Sequence, residues 1–403
     1  MRLADVELFD PDTFVRGVPH DAFKVLRAEQ PVYFHPEPSG PGFFAVTKYD
    51  DVVTIGKDPG RFSSARGGTN IQDYPEEHLS TIQLLMLNMD PPQHNKFRRL
   101  VSQTFTPRMV AQLEPRIRDA AKRIVDRVAP EGHADFVTSI AAELPLQVIA
   151  ELMGIPDDDR EKLFDWSNRL IGFDDPEFQT SLEDGKNAAM EMWMYANGLA
   201  EERAGKTGGD LTTLLLNAEV DGARLTEMEF DAFFLLLSVA GNETTRNLIS
   251  GGLLALLEHP VERARLIADP QLIESGVEEM LRWVTPVTYF RRTATQDTEL
   301  RGVKIKEGQK VVMYYASANR DEDVFPDGDR FDVGRTPNEH LAFGVGQHFC
   351  LGTSLARLEI KLVFEELLRR LPDIELAGPV RRLRSNFING TKELPIRFAP
   401  QKR

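Results

Sequence analysis

One thiol stands alone in this chain. Cys350 is the single cysteine among 403 residues and lies in the stretch Phe343-Gly344-Val345-Gly346-Gln347-His348-Phe349-Cys350-Leu351-Gly352. Beyond it, Leu351, Leu355, Leu358 and Leu362 recur at spacings of four and three, which predicts a helix beginning at or just past the sulfur. The unpaired N–H groups and positive dipole end of a helix N-terminus favour a thiolate, a soft metal ligand. Gly344 and Gly346 let the loop turn tightly and lie close to a flat cofactor, and Gly352 leaves room on the helix side. Against this stands the commoner role of a lone cysteine as a small buried hydrophobe.

A second group interrupts the most apolar segment, Phe230 to Leu257, with Ala240-Gly241-Asn242-Glu243-Thr244-Thr245. Apolar residues on all faces predict a helix buried across the core, and a polar cluster at its middle conflicts with that burial, as functional sites do. The plainer alternative is a helix–helix contact at Ala240 and Gly241, with the Thr244 hydroxyl bonded to the Ala240 carbonyl one turn back. His94 and Arg98 stand four apart, on one face of a helix opened by Asp90-Pro91-Pro92. Glu279 and Arg282 are spaced as a helical i, i+3 ion pair.

The elements that must position these groups are mainly helical. Helices are expected over Asp21 to Glu29 and Asp50 to Lys57, and through most of Asp90 to Leu281. Short strands are expected at Pro31 to Phe34, Gly42 to Val46, Val287 to Arg292, Glu299 to Leu300, Val303 to Ile305 and Lys310 to Met313. Asn319 to His340 reads as a long irregular stretch, and loops of that length usually serve a purpose. Ile388 to Leu394 suggests a hairpin turning at Asn389-Gly390. No repeat or polar linker divides the chain, so residues 1–403 are expected to form one mainly α unit with a smaller β portion. A hydrophobic content of 41% supports a large core. The net charge of -15 argues against a general nucleic-acid binder. A single cysteine fits a reducing compartment, and with no apolar leader or run of eighteen uncharged apolar residues the expectation is a soluble, cytoplasmic protein.

Together these features resemble the cytochrome P450 family of haem-thiolate monooxygenases, over nearly the whole chain. The cysteine loop matches the family's F-G-x-G-x-H-x-C-x-G signature at every fixed position, the central helix matches A-G-x-E-T, and Glu279-Met280-Leu281-Arg282 matches E-x-x-R between them. The resemblance implies a single catalytic domain with haem b between the long central helix and the cysteine-loop helix, and iron bound by Cys350. It implies a cofactor site built from Phe343, Gly344, His348, Gly352, Ala240 and Gly241, with His94, Arg98, Arg292 and His348 serving the two propionates. It ties Glu279 and Arg282 to an arginine of the irregular stretch, Arg330 or Arg335.

The implied activity is insertion of one oxygen atom from O2 into a hydrophobic small molecule. Thr244 would hydrogen-bond dioxygen and Glu243 would relay protons. Electrons would come from a ferredoxin served by an NAD(P)H-dependent reductase, because no flavin or iron–sulfur domain follows the haem core. Lys96, Arg99, Arg108, Arg357 and Lys361 are expected to form the docking patch. The implied pocket draws on Leu84, Leu85, Ile171, Phe173, Phe233, Leu236, Val287, Tyr289 and Phe387, with Ile71 and Leu87 beside them. Several runs, among them Thr288 to Asp297 and Phe387 to Gly390, resemble members acting on terpenoids, branched lipids and sterol side chains. Two rivals share the haem: a peroxide-driven peroxygenase, which usually lacks the acid–alcohol pair, and a non-catalytic haem-thiolate sensor, which would not require it. An all-helical scaffold with an incidental cysteine would be colourless.

Overall fold

The computed structural model describes residues 1–102, 105–220 and 222–402. The apolar run around Phe230 becomes a helix of 32 residues, Glu227–Glu258, about 48 Å long at 1.5 Å per residue. A capping box starts it: the Thr226 side chain accepts from the Glu229 N–H, and Glu229 accepts from the Thr226 N–H at 2.8 Å. Helices pack around this central helix, among them Glu143–Met153, Arg160–Ile171, Leu182–Arg203, Ile273–Val284 and Thr353–Arg370. Two apolar clusters share it. Leu248, Ile249, Leu253 and Leu256 join Ile360, Val363 and Phe364 of the helix after Cys350, whereas Phe230, Phe233, Phe234 and Leu237 join Leu163, Trp166, Met192 and Ala196. No helix among the described residues is long and apolar enough to cross a membrane.

The β portion is a five-stranded sheet in the spatial order Val32–His35, Phe43–Val46, Lys310–Tyr314, Tyr289–Ala294 and Phe62–Ser63. Lys310–Tyr314 runs parallel to Phe43–Val46 and antiparallel to Tyr289–Ala294, pairing Val311 with Arg292 and Met313 with Phe290. Each expected strand and helix forms within a residue or two, with two departures. Val287 lies before its strand and makes an isolated bridge to Ile388. Asn389-Gly390 is not the turn of a tight hairpin: residues 383–390 join the two-residue strand Arg381–Arg382 to its partner Thr391–Glu393. Strands that short do not fix a two-residue turn, and the Asn389 side chain instead donates to the Val284 carbonyl at 2.5 Å.

The irregular stretch contains no helix or strand from Asn319 to His340, yet it is fixed by one buried ionic hub. Glu279 and Arg282, both with fully buried side chains, are joined by two hydrogen bonds of 2.7 and 2.8 Å. Arg282 then donates to the carbonyls of Asn319, Gly328 and Arg330. Glu279 also accepts from Arg335 at 3.2 Å, Asn338 at 3.2 Å and the Asp332 N–H at 2.8 Å. The two candidate arginines thereby separate. Arg335 supplies its guanidinium to Glu279; Arg330 supplies only its carbonyl, and its side chain is 64% exposed near Asp332.

Removing the carboxylate strands two poorly hydrated guanidinium groups, for which losses on the order of 3–5 kcal/mol are usual. Glu279→Gln and Arg335→Ala are therefore expected to cost several kcal/mol in denaturant unfolding. Arg330→Ala should stay within about 0.5 kcal/mol of the parent, as exposed substitutions do. Equal losses at 330 and 335 would refute the assignment.

Candidate active site

The cysteine loop hangs from that hub. The Asn319 carbonyl is held by Arg282, its side-chain oxygen accepts from the Leu341 N–H at 2.6 Å, and the Gly344 N–H returns to the Leu341 carbonyl at 2.9 Å. Gly344 and Gly346 have φ of 72° and 77°, a region that disfavours any side chain. At Gly346 there is a second demand: a Cβ would overlap the carbonyl of Gly56 in the helix Tyr49–Lys57. That glycine therefore serves contact with a helix, rather than with a flat cofactor. Gly352 has nothing within 4 Å of the position of its missing Cβ, so space does lie beside it.

The Cys350 N–H donates to the Phe343 carbonyl at 2.9 Å, and the Phe343 ring carries the Arg357 guanidinium 4.7 Å above it. The helix proper begins three residues on, at Thr353. Cys350 opens onto a cleft, yet its sulfur is crowded by protein, and that burial pushes the thiol up against the pull of the Gly352 N–H, Arg98 and Arg357. Coordination to a metal deprotonates a thiol outright.

Four basic side chains gather at one side of this cleft. The His94 and His348 rings lie 4.2 Å apart, and His348 Nε2 is 3.1 Å from the hydroxyl of Ser64. Burial, Arg292, His94 and Arg98 together push His348 down to about 2, so it is neutral at ordinary pH. Arg98 reaches across to donate to the Phe349 carbonyl at 2.6 Å, and Arg292, 3% exposed, donates to the Arg291 carbonyl. Burial lowers both arginines. Among the described residues neither guanidinium has a carboxylate partner. A buried cation without a counterion is costly, so this edge suits a ligand that brings its own carboxylates.

Haem fits these residues on three counts. Its two propionates answer Arg98 and Arg292, with His94, His348 and Ser64 as further hydrogen-bonding groups. Cys350 would be the protein's ligand to the iron of a haem bound here, its residue exposed and the position of a Gly352 Cβ open beside it. On the central helix, Ala240 is exposed although its neighbours Val239 and Asn242 are buried.

The polar cluster of that helix divides between the two readings of its sequence. A Cβ on Gly241 would meet Ile149 of the helix Glu143–Met153 at 3.0 Å, so close packing of the two helices favours glycine there. The Thr244 hydroxyl donates to the Ala240 carbonyl at 2.7 Å, and this residue is only partly buried. Glu243 is wholly buried in an ion pair with Arg246. Burial raises its carboxyl, with Arg246 pulling the other way.

Of the expected pocket residues, Ile171, Phe173 and Val287 are partly buried against a cluster containing Ile71, Tyr289 and Phe387. Leu236 packs with Phe233 in the cluster on the central helix. Three of these side chains form backing and not lining. Ile71 and Tyr289 have no exposure, and Phe233 stacks on Phe97 with ring centroids 5.4 Å apart. Leu84, Leu85 and Leu87 are partly exposed on the segment before His94. Sequence reasoning missed Phe290, partly exposed and packed on Phe387 and Tyr315. Alternation along its strand puts it on the face of Arg292, a signal that was legible. It also missed Ser64, Asn168 and Arg246, which carry no motif.

A sequence profile described as Cytochrome P450 matches residues 14–372. The chain is 43% identical over 399 residues to a steroid C26-monooxygenase of Rhodococcus jostii (strain RHA1), spanning 96% of this chain and 84% of that one. It is 44% identical over 412 residues to a methyl-branched lipid omega-hydroxylase of Mycobacterium tuberculosis (strain ATCC 25618 / H37Rv), spanning 98% and 95%. Among solved structures, Mycobacterium marinum cytochrome P450 CYP268A2 in complex with pseudoionone superimposes with a TM-score of 0.89 at 43% identity, covering 94% of each chain.

Proposed function

The chain belongs to the cytochrome P450 family, and from that premise we propose that it hydroxylates the branched apolar end of a lipid, sterol side chain or terpenoid, as a single catalytic domain drawing electrons from a ferredoxin. It is a haem-dependent monooxygenase of hydrophobic small molecules. The overall change consumes the substrate C–H, O2, two electrons and two protons, and yields the alcohol and one water. Haem bound through the Cys350 thiolate supplies the oxygen-activating redox chemistry. Two electrons and two protons must reach it, and the protons are the business of this chain's residues.

The observation that carries the reading is the edge beside Cys350, where the Arg98 and Arg292 guanidinium groups have no carboxylate partner among the described residues and suit the propionates of a haem. The Thr244 hydroxyl, which donates to the Ala240 carbonyl, keeps lone pairs that can accept and can rotate to donate elsewhere. Glu243, next in the chain, is the acid that would resupply its proton. The branched-substrate reading is supported by the two relatives, one named as a steroid C26-monooxygenase and the other as a methyl-branched lipid omega-hydroxylase. It is supported too by the apolar wall of Ile171, Phe173, Val287, Phe290 and Phe387.

The expected docking patch needs revision. Arg357 is held bidentately by Glu278, and Lys361 by Glu274, so their charge is already answered by the helix Ile273–Val284. Arg99 and Arg108 are exposed and have no ion pair among the described residues, with Met109 exposed beside Arg108. We place the ferredoxin contact there.

Thr244→Ala should retain haem and the substrate-induced spin shift while product per reduced nicotinamide falls about tenfold and peroxide rises. Unchanged coupling would remove Thr244 from proton delivery. Replacing Arg99 and Arg108 together by Glu should slow reduction by ferredoxin at least about tenfold at low salt and flatten its salt dependence, since steering between opposite charges is screened by ions. An unaltered salt profile would place the contact elsewhere.

A further inference from the structure

Glu243 cannot relay a proton from where it stands. Its side chain has no exposure, one oxygen is engaged by Arg246 one turn along, and the other lies 3.4 Å from the Asn242 side-chain nitrogen. Among the described residues Arg246 is the only cation that forms an ion pair with it. Arg246, itself 4% exposed, is anchored outside its own helix: a terminal nitrogen donates to Asn168 Oδ1 at 2.7 Å, and the guanidinium lies 5.6 Å from the centre of the Phe164 ring. Asn168 and Phe164 belong to the helix Arg160–Ile171. That helix ends at Ile171, and Phe173 follows, both packed into the apolar wall. The far end of the ion pair is therefore fastened to an element whose end packs into the apolar wall proposed above to receive substrate. Two buried polar atoms at the pair, Arg246 Nε and Asn242 Oδ1, lack a hydrogen-bond partner among the described residues. Such atoms supply hydrogen-bonding sites to a group or water that arrives when the pair opens.

We infer that Arg246 and Asn168 are positioning residues that hold Glu243 in reserve, and that a substrate displacing the helix Arg160–Ile171 loosens the Asn168–Arg246 bond and releases Glu243 to deliver protons. No bond other than hydrogen bonds and the ion pair is broken. The proton that Glu243 gains on release comes from water and passes toward Thr244. The inference rests on the reading of Glu243 as the proton source, and the test separates the two.

Infrared difference spectra of the haem-loaded protein are recorded with and without phytanic acid, a methyl-branched probe confirmed to bind by its spin shift. The carboxylic C=O band of protonated Glu243 is identified by its absence in Glu243→Gln. In the parent the band should appear only with the probe. In Asn168→Ala it should be present before the probe is added, with probe affinity within about threefold of the parent. Arg246→Gln should also show it without the probe, and Arg246→Lys, which restores the cation, should not. A parent band indifferent to the probe, or an Asn168→Ala spectrum matching the parent in both states, overturns the lock. The proton-source reading fails separately, if Glu243→Gln leaves turnover and its solvent isotope effect unchanged.

Discussion

The Glu279 carboxylate accepts hydrogen bonds from Arg282, Arg335, Asn338 and the Asp332 N–H with no exposed surface of its own. Burying a carboxylate and two guanidinium groups is unfavourable unless nearly every donor finds an acceptor, and here the acceptors are carbonyls of an otherwise irregular segment. The chain from Asn319 to His340 has no regular ladder to hold it, so these bonds define its path. Through Asn319 and Leu341 the same network sets the loop that ends at Cys350. The position of the sulfur thus depends on an ion cluster that never touches it.

Around the cleft the charges are arranged in opposite senses. Beside Cys350, Arg98 and Arg292 have no carboxylate partner among the described residues, while burial and those same cations lower the affinity of His94 and His348 for a proton. This edge is complete only with anions from a ligand. On the central helix the reverse holds, because the acid Glu243 is tied to a cation of its own chain.

Much of this was legible in the residues, and the exceptions have physical causes. Periodicity located the central helix and the helix after Cys350, and alternation located the strands, because burial imposes both patterns. The choice between Arg330 and Arg335 was not legible, since it turns on which side chain an irregular backbone directs inward. Tyr289 was expected at the pocket and is wholly buried, whereas Phe290, partly exposed, shares the alternation of Arg292 two residues on. Gly241 and Gly346 owe their smallness to neighbouring helices, and such tertiary contacts leave no trace in spacing. The couplings through Asn168 and Arg246 likewise join helices distant in sequence.

The central claim is that Cys350 ligates haem iron as a thiolate. Reducing the purified haem-loaded protein under carbon monoxide tests it in one spectrum. The account predicts the strongly red-shifted Soret band of thiolate ligation, lost in Cys350→Ala. A Soret band at the unshifted position of histidine-ligated or unligated haem, or a shifted band that survives the loss of Cys350, would contradict it.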